Sequence, residues 1–361
     1  MNTLTALSTN PSGPDQVVAR TMQAALRRQY GPASGLEVNQ VDVPVITDHQ
    51  VLVRVHAAAL DRGAWHLMTG RPYLIRVAGY GLLRPKTIVM GREMAGVVQT
   101  VGRSVTEFQP GDRVFGLCEG AFAEYAVAQV SRLARMPVHA SFEDAAAVPI
   151  SALTALQALR DHGRLRAGQR VLIIGASGGV GSFAVQLART FGAHVTGVCS
   201  AAKVDLVRSL GADEVIDYRQ GDFTHAPQRY DLVLDIGGQR PVSRLRRLLT
   251  ATGTVVFVGG EGGDAWTGGI GRQLGAVLRS VFSRQRLVTF ISRENSTDLT
   301  TLAGLMEDGL LRPAIDRTCP LTGIPDAMRD LEAGRVRGKV VVTVASQTLA
   351  KALCGFSSTP S

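Results

Sequence analysis

The stretch RVLIIGASGGVGSFAVQLARTFGAHVTGVCS, residues 170–200, decides the fold. Val171 to Ile174 form a short apolar run that ends in glycines. Phe183, Val185, Leu187 and Ala188 then supply the apolar face of a helix, and Gly192 stops it. His194 to Val198 reads as a second strand. The unit is therefore βαβ, with parallel strands and a right-handed crossover.

The turn between strand and helix carries the chemistry. In the dinucleotide fingerprint G-x-G-x-x-G, small residues permit a sharp turn, close approach of backbone to a pyrophosphate, and close packing of helix on strand. The register here is Ala176, Gly178, Gly181, with Ala in the first position and an extra Gly179. The helix that follows aims its unpaired N–H groups and positive dipole end at the phosphates. A glycine-rich turn alone is more often only a turn; one that follows a strand and opens a helix within about 30 residues is specific.

The end of the second strand indicates which dinucleotide binds. Selection of NAD places Asp or Glu roughly 20 residues past the turn, on the ribose 2′-hydroxyl. This chain has Cys199, Ser200, Ala201, Ala202 and Lys203 instead, and a hydroxyl plus a cation suit a 2′-phosphate. The alternative is a solvated Lys203 on the next helix. Only Lys86, Lys203, Lys339 and Lys351 are lysines among 39 basic residues, which favours a specific role and NADP(H).

A length of 361 residues suggests two domains, and a 45% hydrophobic fraction is ample for packed cores. The net charge of +9 raises nucleic acid as a partner. The arginines are dispersed, however, and no aromatics interleave with RLRR at 244–247 or with the Arg279 to Arg286 segment, so no nucleic-acid partner is expected. Four scattered cysteines fit neither a metal spacing nor a disulfide framework and point to a reducing, cytoplasmic compartment. No apolar run approaches the ~20 residues that span a bilayer, so no membrane partner is expected. Residues 1–20 and 347–361 read as flexible tails.

Before position 150 the chain reads as short strands with glycine turns: an edge strand at Ala24 to Tyr30, a long strand at Gln50 to Leu60, another at Ile88 to Val101, and GDRVFGL at 111–117 paired as a hairpin with AFAEYAVA at 121–128. Residues 67–86 are too glycine-broken for a hairpin and read as a lobe or lid. From Phe142 a helix begins, capped by Ser141 and broken or kinked at Pro149. Strands at 214–218, 231–237, 254–260 and 286–292 then alternate with helices, giving an α/β fold with a doubly wound parallel sheet. Helices from Ser296 to Asp308 and around Ile324 to Leu331 precede a last strand, KVVVTV at 339–344, which returns to the first domain.

Taken in order, VLVRVHAAALDRGAWHL (51–67), GREMAGVVQTVG (91–102), GDRVFG (111–116), FAEYA (122–126), AAAVPISALTALQAL (145–159), VLIIGASGGVGSFAVQLAR (171–189), LGADEVIDY (210–218) and GKVVVTV (338–344) make the chain resemble a zinc-independent medium-chain dehydrogenase/reductase of the NADPH-dependent quinone oxidoreductase branch. The resemblance implies a GroES-like β-barrel catalytic domain over 21–150, completed by about 295–346, a Rossmann cofactor-binding domain over 151–294, and a homodimer. It places the phosphates over Ser177, Gly178, Gly179 and Val180, and the 2′-phosphate near Ser200, Lys203 and Tyr218. It places the nicotinamide between Thr154, the turn of Val258, Gly259 and Gly260, and the backbone of Phe290, Ile291 and Ser292. Lys339 would lie near the cleft entrance. Tyr218 reads equally as a strand cap, and Thr154 as helix packing.

Catalytic zinc needs about three protein ligands. Where zinc-bearing relatives carry Cys, and later His before Glu, this chain has the Leu60–Asp61 region and Arg92 before Glu93. No metal is expected. Hydride transfer to a quinone or an α,β-unsaturated carbonyl needs less help, because the acceptor spreads the incoming charge. Asp61 stands where many such reductases have Asn. With Trp65, Tyr73 and Arg92 it is expected to line or border the pocket, the proton coming from solvent or Tyr73. The plainer readings are lid packing for Trp65 and Tyr73, and a structural ion pair for Arg92. The alternative function is a non-catalytic NADPH-binding or redox-sensing protein.

Overall fold

The structure is a computed structural model that describes residues 20–225, 227–259, 264–269, 271, 275 and 283–344. The expected tails and the Gly260 position lie outside these residues, apart from Arg20. In chain order the elements are β1 (Thr21–Leu26), β2 (Glu37–Asp42), β3 (Gln50–Leu60), α1 (Arg62–Thr69), β4 (Glu93–Val101), β5 (Arg113–Leu117), β6 (Tyr125–Gln129) and β7 (Leu133–Arg135). Helices α2 (Phe142–Ala146) and α3 (Pro149–Gln157) follow. Next come β8 (Arg170–Ile174), α4 (Gly179–Thr190), β9 (His194–Cys199), α5 (Val204–Ser209), β10 (Glu214–Asp217), β11 (Tyr230–Asp235), α6 (Val242–Arg247), β12 (Leu249–Phe257) and β13 (Arg286–Thr289). The chain closes with α7 (Ser296–Glu307), β14 (Ile315–Pro320), α8 (Ile324–Glu332) and β15 (Lys339–Thr343).

Strands β8 to β13 form a parallel sheet in the order β10-β9-β8-β11-β12-β13. The order reverses between β8 and β11, so the crevice that binds dinucleotides in such sheets opens beyond the end of β8. The sheet's apolar strands are buried on both faces, as Val171, Leu172, Ile173, Val195, Val233 and Val255 illustrate.

A seven-stranded sheet runs β14-β15-β3-β4-β5-β7, and β6 joins it on β3. The eleven-residue β3 organises this sheet: β4 takes one edge, while on the other β6 pairs with Gln50 to Arg54 and β15 with Ala57 to Leu60. The C-terminal strand thus returns to the first sheet as the sequence implied. The hairpin expected between 111–117 and 121–128 does not form, because β6 is drawn to β3 while β5 pairs with β4 and β7.

Pro149 separates α2 from α3 as expected, and the Ser141 hydroxyl accepts from the Asp144 N–H at 3.0 Å. RLVTFIS does not run as one strand: β13 stops at Thr289, opposite the last residue of β12, and Phe290 to Ser292 continue as irregular chain.

Candidate functional site

At the end of β8 the chain turns on Gly175, whose φ of +91° is left-handed. The N–H groups of Gly175 and Ala176 both donate to the Val198 carbonyl at 3.1 Å, tying the turn to β9. A Cβ at Gly181 would stand 2.1 Å from the Gly175 carbonyl oxygen, so this glycine is what lets α4 sit against the strand. Gly178 is the N-cap residue of α4, and by helix geometry the N–H groups of the first turn, Gly179 and Val180 included, have no acceptor within the helix. Ser177 is buried, and its carbonyl accepts from the Gly338 N–H at 2.9 Å, pinning the turn to the start of β15. A cradle that a Cβ would close, opening onto free donors, fits a dinucleotide pyrophosphate.

Ser200, Lys203 and Tyr218 come together at the carboxyl ends of β9 and β10, where the Tyr218 N–H donates to the Cys199 carbonyl at 3.1 Å. The Lys203 ammonium donates to the Gly334 and Val336 carbonyls at 3.0 and 2.7 Å, leaving one of its three donors. Burial lowers its pKa, nearby Asp316 opposes the shift, and Arg337 adds to it. Arg337 is exposed and makes no ion pair or hydrogen bond among the described residues. It went unnoticed in the sequence because GRVRGKV reads only as the approach to a strand.

On the opposite side, the Thr154 hydroxyl donates to the Ile150 carbonyl at 2.7 Å, leaving its lone pairs as acceptors. Val258 and Gly259 both donate to the Asp235 carbonyl, holding the ends of β11 and β12 together. The Phe290 ring stacks on His162 at 4.3 Å and Ile291 is exposed. Gln157 clamps the next residues: its carbonyl accepts from the Arg293 N–H at 2.8 Å and the Ser292 hydroxyl at 3.3 Å, while its amide donates to the Arg293 carbonyl and to Asp298. No sequence pattern marked Gln157, since it is simply a buried position of α3.

A cleft of about 670 Å³ lies between the 67–91 segment and the barrel, bounded by Ser292, Arg293 and Glu294. Of the four expected pocket residues only Arg92 lines it. Arg92 is ion-paired to Glu294, whose second oxygen lies 3.2 Å from Arg132. Burial lowers the Arg92 pKa, but Glu294 and Asp61 outweigh it and the net shift is upward. Asp61 instead caps α1, accepting from the Ala64 N–H at 2.9 Å, and its Oδ2 is buried without a partner. Trp65 is turned toward Arg62 and His66. Tyr73 meets Trp266 edge-on at 5.3 Å and its N–H donates to the Ala265 carbonyl, so it fastens the lobe and does not face the cleft as a proton donor.

Lys339 is not at an entrance. It is 1% exposed and ion-paired with the fully buried Glu93, with the Ser151 hydroxyl 3.3 Å from its ammonium. Its Cδ is 3.3 Å from where a Gly179 Cβ would stand, which places the pair directly beneath the phosphate turn. Burial pushes the Glu93 carboxyl up to about 7, against the pull of Lys339 and with a contribution from Asp61.

The Alcohol dehydrogenase GroES-like domain family matches residues 47–138, and the Zinc-binding dehydrogenase family matches 210–342. The chain is 32% identical to the chloroplast envelope quinone oxidoreductase homolog of Arabidopsis thaliana, over 90% of this chain and 99% of that protein. It is also 32% identical to the mitochondrial NAD(P)H oxidoreductase RTN4IP1 of Mus musculus, over 90% of this chain and 89% of that protein. The quinone oxidoreductase of Coxiella burnetii superposes with a TM-score of 0.79 at 28% identity, covering 90% of this chain and 100% of that one. The chain is a medium-chain dehydrogenase/reductase. Within that class it belongs to the quinone oxidoreductase branch and is an oxidoreductase using a nicotinamide cofactor.

Zinc, which one family name carries, does not fit the described side chains of the cleft. Among the described residues no group of three or more His, Cys, Asp or Glu side chains could hold a metal ion, and Arg92 offers no lone pair. Among the described residues no helix is long and apolar enough to cross a membrane.

Proposed function

We propose that the chain reduces quinones or α,β-unsaturated carbonyls with NADPH, without zinc. The observation that carries the reading is the corner at the end of β9, where Ser200 and the Lys203 ammonium stand beside the phosphate turn with no carboxylate between Cys199 and Lys203. That corner suits a 2′-phosphate, and β9 itself ends without the carboxylate that takes a ribose 2′-hydroxyl; Asp217, opposite Cys199, accepts from the Arg219 N–H.

Bound NADPH supplies the hydride, and a proton from solvent completes the two-electron reduction. The chain's own residues bind and orient. Gly178 to Val180 hold the pyrophosphate, and Gln157 fixes Ser292 and Arg293 against the nicotinamide side of the cleft. Arg92, oriented by Glu294, has donors to spare for the oxyanion that develops on the acceptor.

The test is acceptor-dependent oxidation of NADPH and NADH over benzoquinones, naphthoquinones and simple enones, with and without a chelator. The expected result is turnover that prefers NADPH and resists chelation. Tight NADPH binding with no turnover across the panel refutes catalysis and leaves a coenzyme-binding protein.

A further inference from the structure

The cleft carries more positive charge than its own carboxylates can neutralise. Arg27, Lys86, Arg92, Arg132 and Arg293 line it against Glu119 and Glu294, five cations to two carboxylates. Glu294 is occupied by Arg92 and Arg132 together. Among the described residues Glu119 accepts only a 3.4 Å hydrogen bond from Thr87. Lys86 and Arg293 are exposed, and their charged groups have no partner among the described residues.

Arg27 is the sharper case. It is 5% exposed, yet among the described residues no carboxylate pairs with it: its guanidinium donates to the Leu67 and Thr87 carbonyls and lies 5.5 Å from the Tyr30 ring centroid, and its Nε has no hydrogen-bond partner. A buried cation without a carboxylate is costly unless a ligand supplies the counter-charge. The dinucleotide phosphates are not that ligand, because no residue of the Ser177–Val180 turn, nor Ser200, Lys203 or Tyr218, lines this cleft.

We infer that the acceptor is itself an anion: a conjugated carbonyl compound carrying a carboxylate or phosphate group, which Arg27, Lys86 and Arg293 receive while the reacting carbonyl lies toward Arg92 and Ser292. The inference rests on the reductase reading above and narrows it. Arg27, lodged between Leu67 and Thr87, gives the lobe a chemical role: both carbonyls that hold it flank or belong to the 67–86 segment.

The experiment has two arms. In the first, wild type and the double variant Lys86→Gln/Arg293→Gln, both saturated with NADP⁺ to fill the phosphate cradle, are titrated calorimetrically with 2-naphthoate, 2-naphthyl phosphate and neutral 2-naphthamide. One of the two anions is expected to bind wild type roughly tenfold more tightly than the amide, a factor worth about 1.4 kcal/mol. Which one does so separates carboxylate from phosphate. The preference is expected to shrink with added salt and to disappear in the double variant. Equal binding of amide and anions, no detectable binding of either anion, or a preference that survives in the double variant overturns the inference.

In the second arm, kcat/KM is measured for a carboxylated naphthoquinone and its neutral parent. Turnover of both without preference, together with equal binding in the first arm, overturns the anionic acceptor and leaves the reductase standing. Anion preference in the first arm with no turnover of any acceptor overturns the reductase and leaves an anion site.

Discussion

Removing one partner of the Glu93–Lys339 pair should cost far more than removing both. In Glu93→Gln the Lys339 ammonium keeps the Ser151 hydroxyl, at 3.3 Å, and a neutral amide oxygen, but no counter-charge, in a site where it is 1% exposed. Stranding a buried charge costs about 3–5 kcal/mol. At about 2 °C per kcal/mol for a long chain, the melting temperature at pH 8 should fall by roughly 6–10 °C. Lys339→Met strands Glu93 instead, but that carboxyl is already pushed up to about 7 and can escape by taking a proton. Its raised pKa means the native state holds the proton better than the unfolded chain, so stability from this group is greatest below its ordinary 4.5 and is lost as pH rises through about 7. Lys339→Met should therefore lose less stability relative to wild type at pH 6 than at pH 8. The double variant Glu93→Gln/Lys339→Met should recover most of the loss, because two neutral groups of similar volume leave no buried charge unpaired. Scanning calorimetry of the four proteins at both pH values reads the cycle. If Glu93→Gln melts within about 1 °C of wild type, or the double variant is as unstable as the worse single one, the pair is not what joins β4, α3 and β15 beneath the phosphate turn.

Three further outcomes follow from the geometry. Gly181→Ala places a Cβ 2.1 Å from the Gly175 carbonyl oxygen and 2.7 Å from the Ala176 Cα, both backbone, so the helix must lift from the strand; a loss of about 1–3 kcal/mol and a raised KM for coenzyme are expected, and an unchanged KM would contradict the cradle. Lys203→Ala and Arg337→Ala should each lower the NADPH-over-NADH ratio of kcat/KM, Lys203→Ala by roughly 10–100-fold if its remaining donor is worth about 1.5–3 kcal/mol to a phosphate; a parental ratio in both variants removes the 2′-phosphate assignment. Asp61→Ala deletes the N-cap of α1 and should cost about 1 kcal/mol, whereas Asp61→Asn keeps an acceptor for the Ala64 N–H and should cost less; chemical denaturation of both separates capping from a role in turnover.

What the sequence made legible is what depends on near neighbours. The βαβ unit from β8 to β9 is contained in about 30 residues, and its glycines announce themselves by the steric demands of one turn. Pro149 as a break and Ser141 as a cap are local in the same way. The misreadings all involve distant partners. Phe290 to Ser292 look like strand because they continue an apolar run, but a strand ends where its neighbour does, and β12 ends at Phe257 opposite Thr289. Tyr125 to Gln129 look like half of a hairpin, but the long β3 offers a free edge that β5 does not. β14 went unread because IDRTCP mixes charge with a terminal Pro, and only its parallel pairing with β15 makes it a strand. Glu93 and Lys339 are 246 residues apart, and no periodicity connects a carboxylate in one strand to an ammonium in another.

The same limit explains why Arg92 was legible as a place and not as a role. Its position could be found because it precedes Glu93 in a recognisable motif, but its chemistry depends on Glu294, 202 residues away. A guanidinium stays protonated at any pH the fold survives, so it gives the cleft a fixed charge where a histidine would give a titrating one. Glu294 does not cancel that charge, because Arg132 shares it. The carboxylate therefore orients two guanidiniums without neutralising the cleft, and Arg27, Lys86 and Arg293 add cations that no carboxylate among the described residues pairs with. A pocket of this kind favours an acceptor whose charge becomes more negative as hydride arrives, and it favours most strongly one that was negative before the reaction began. Positive charge that is held in place before the acceptor binds serves both purposes, which is why recognition and rate should fall together when Lys86 and Arg293 are neutralised.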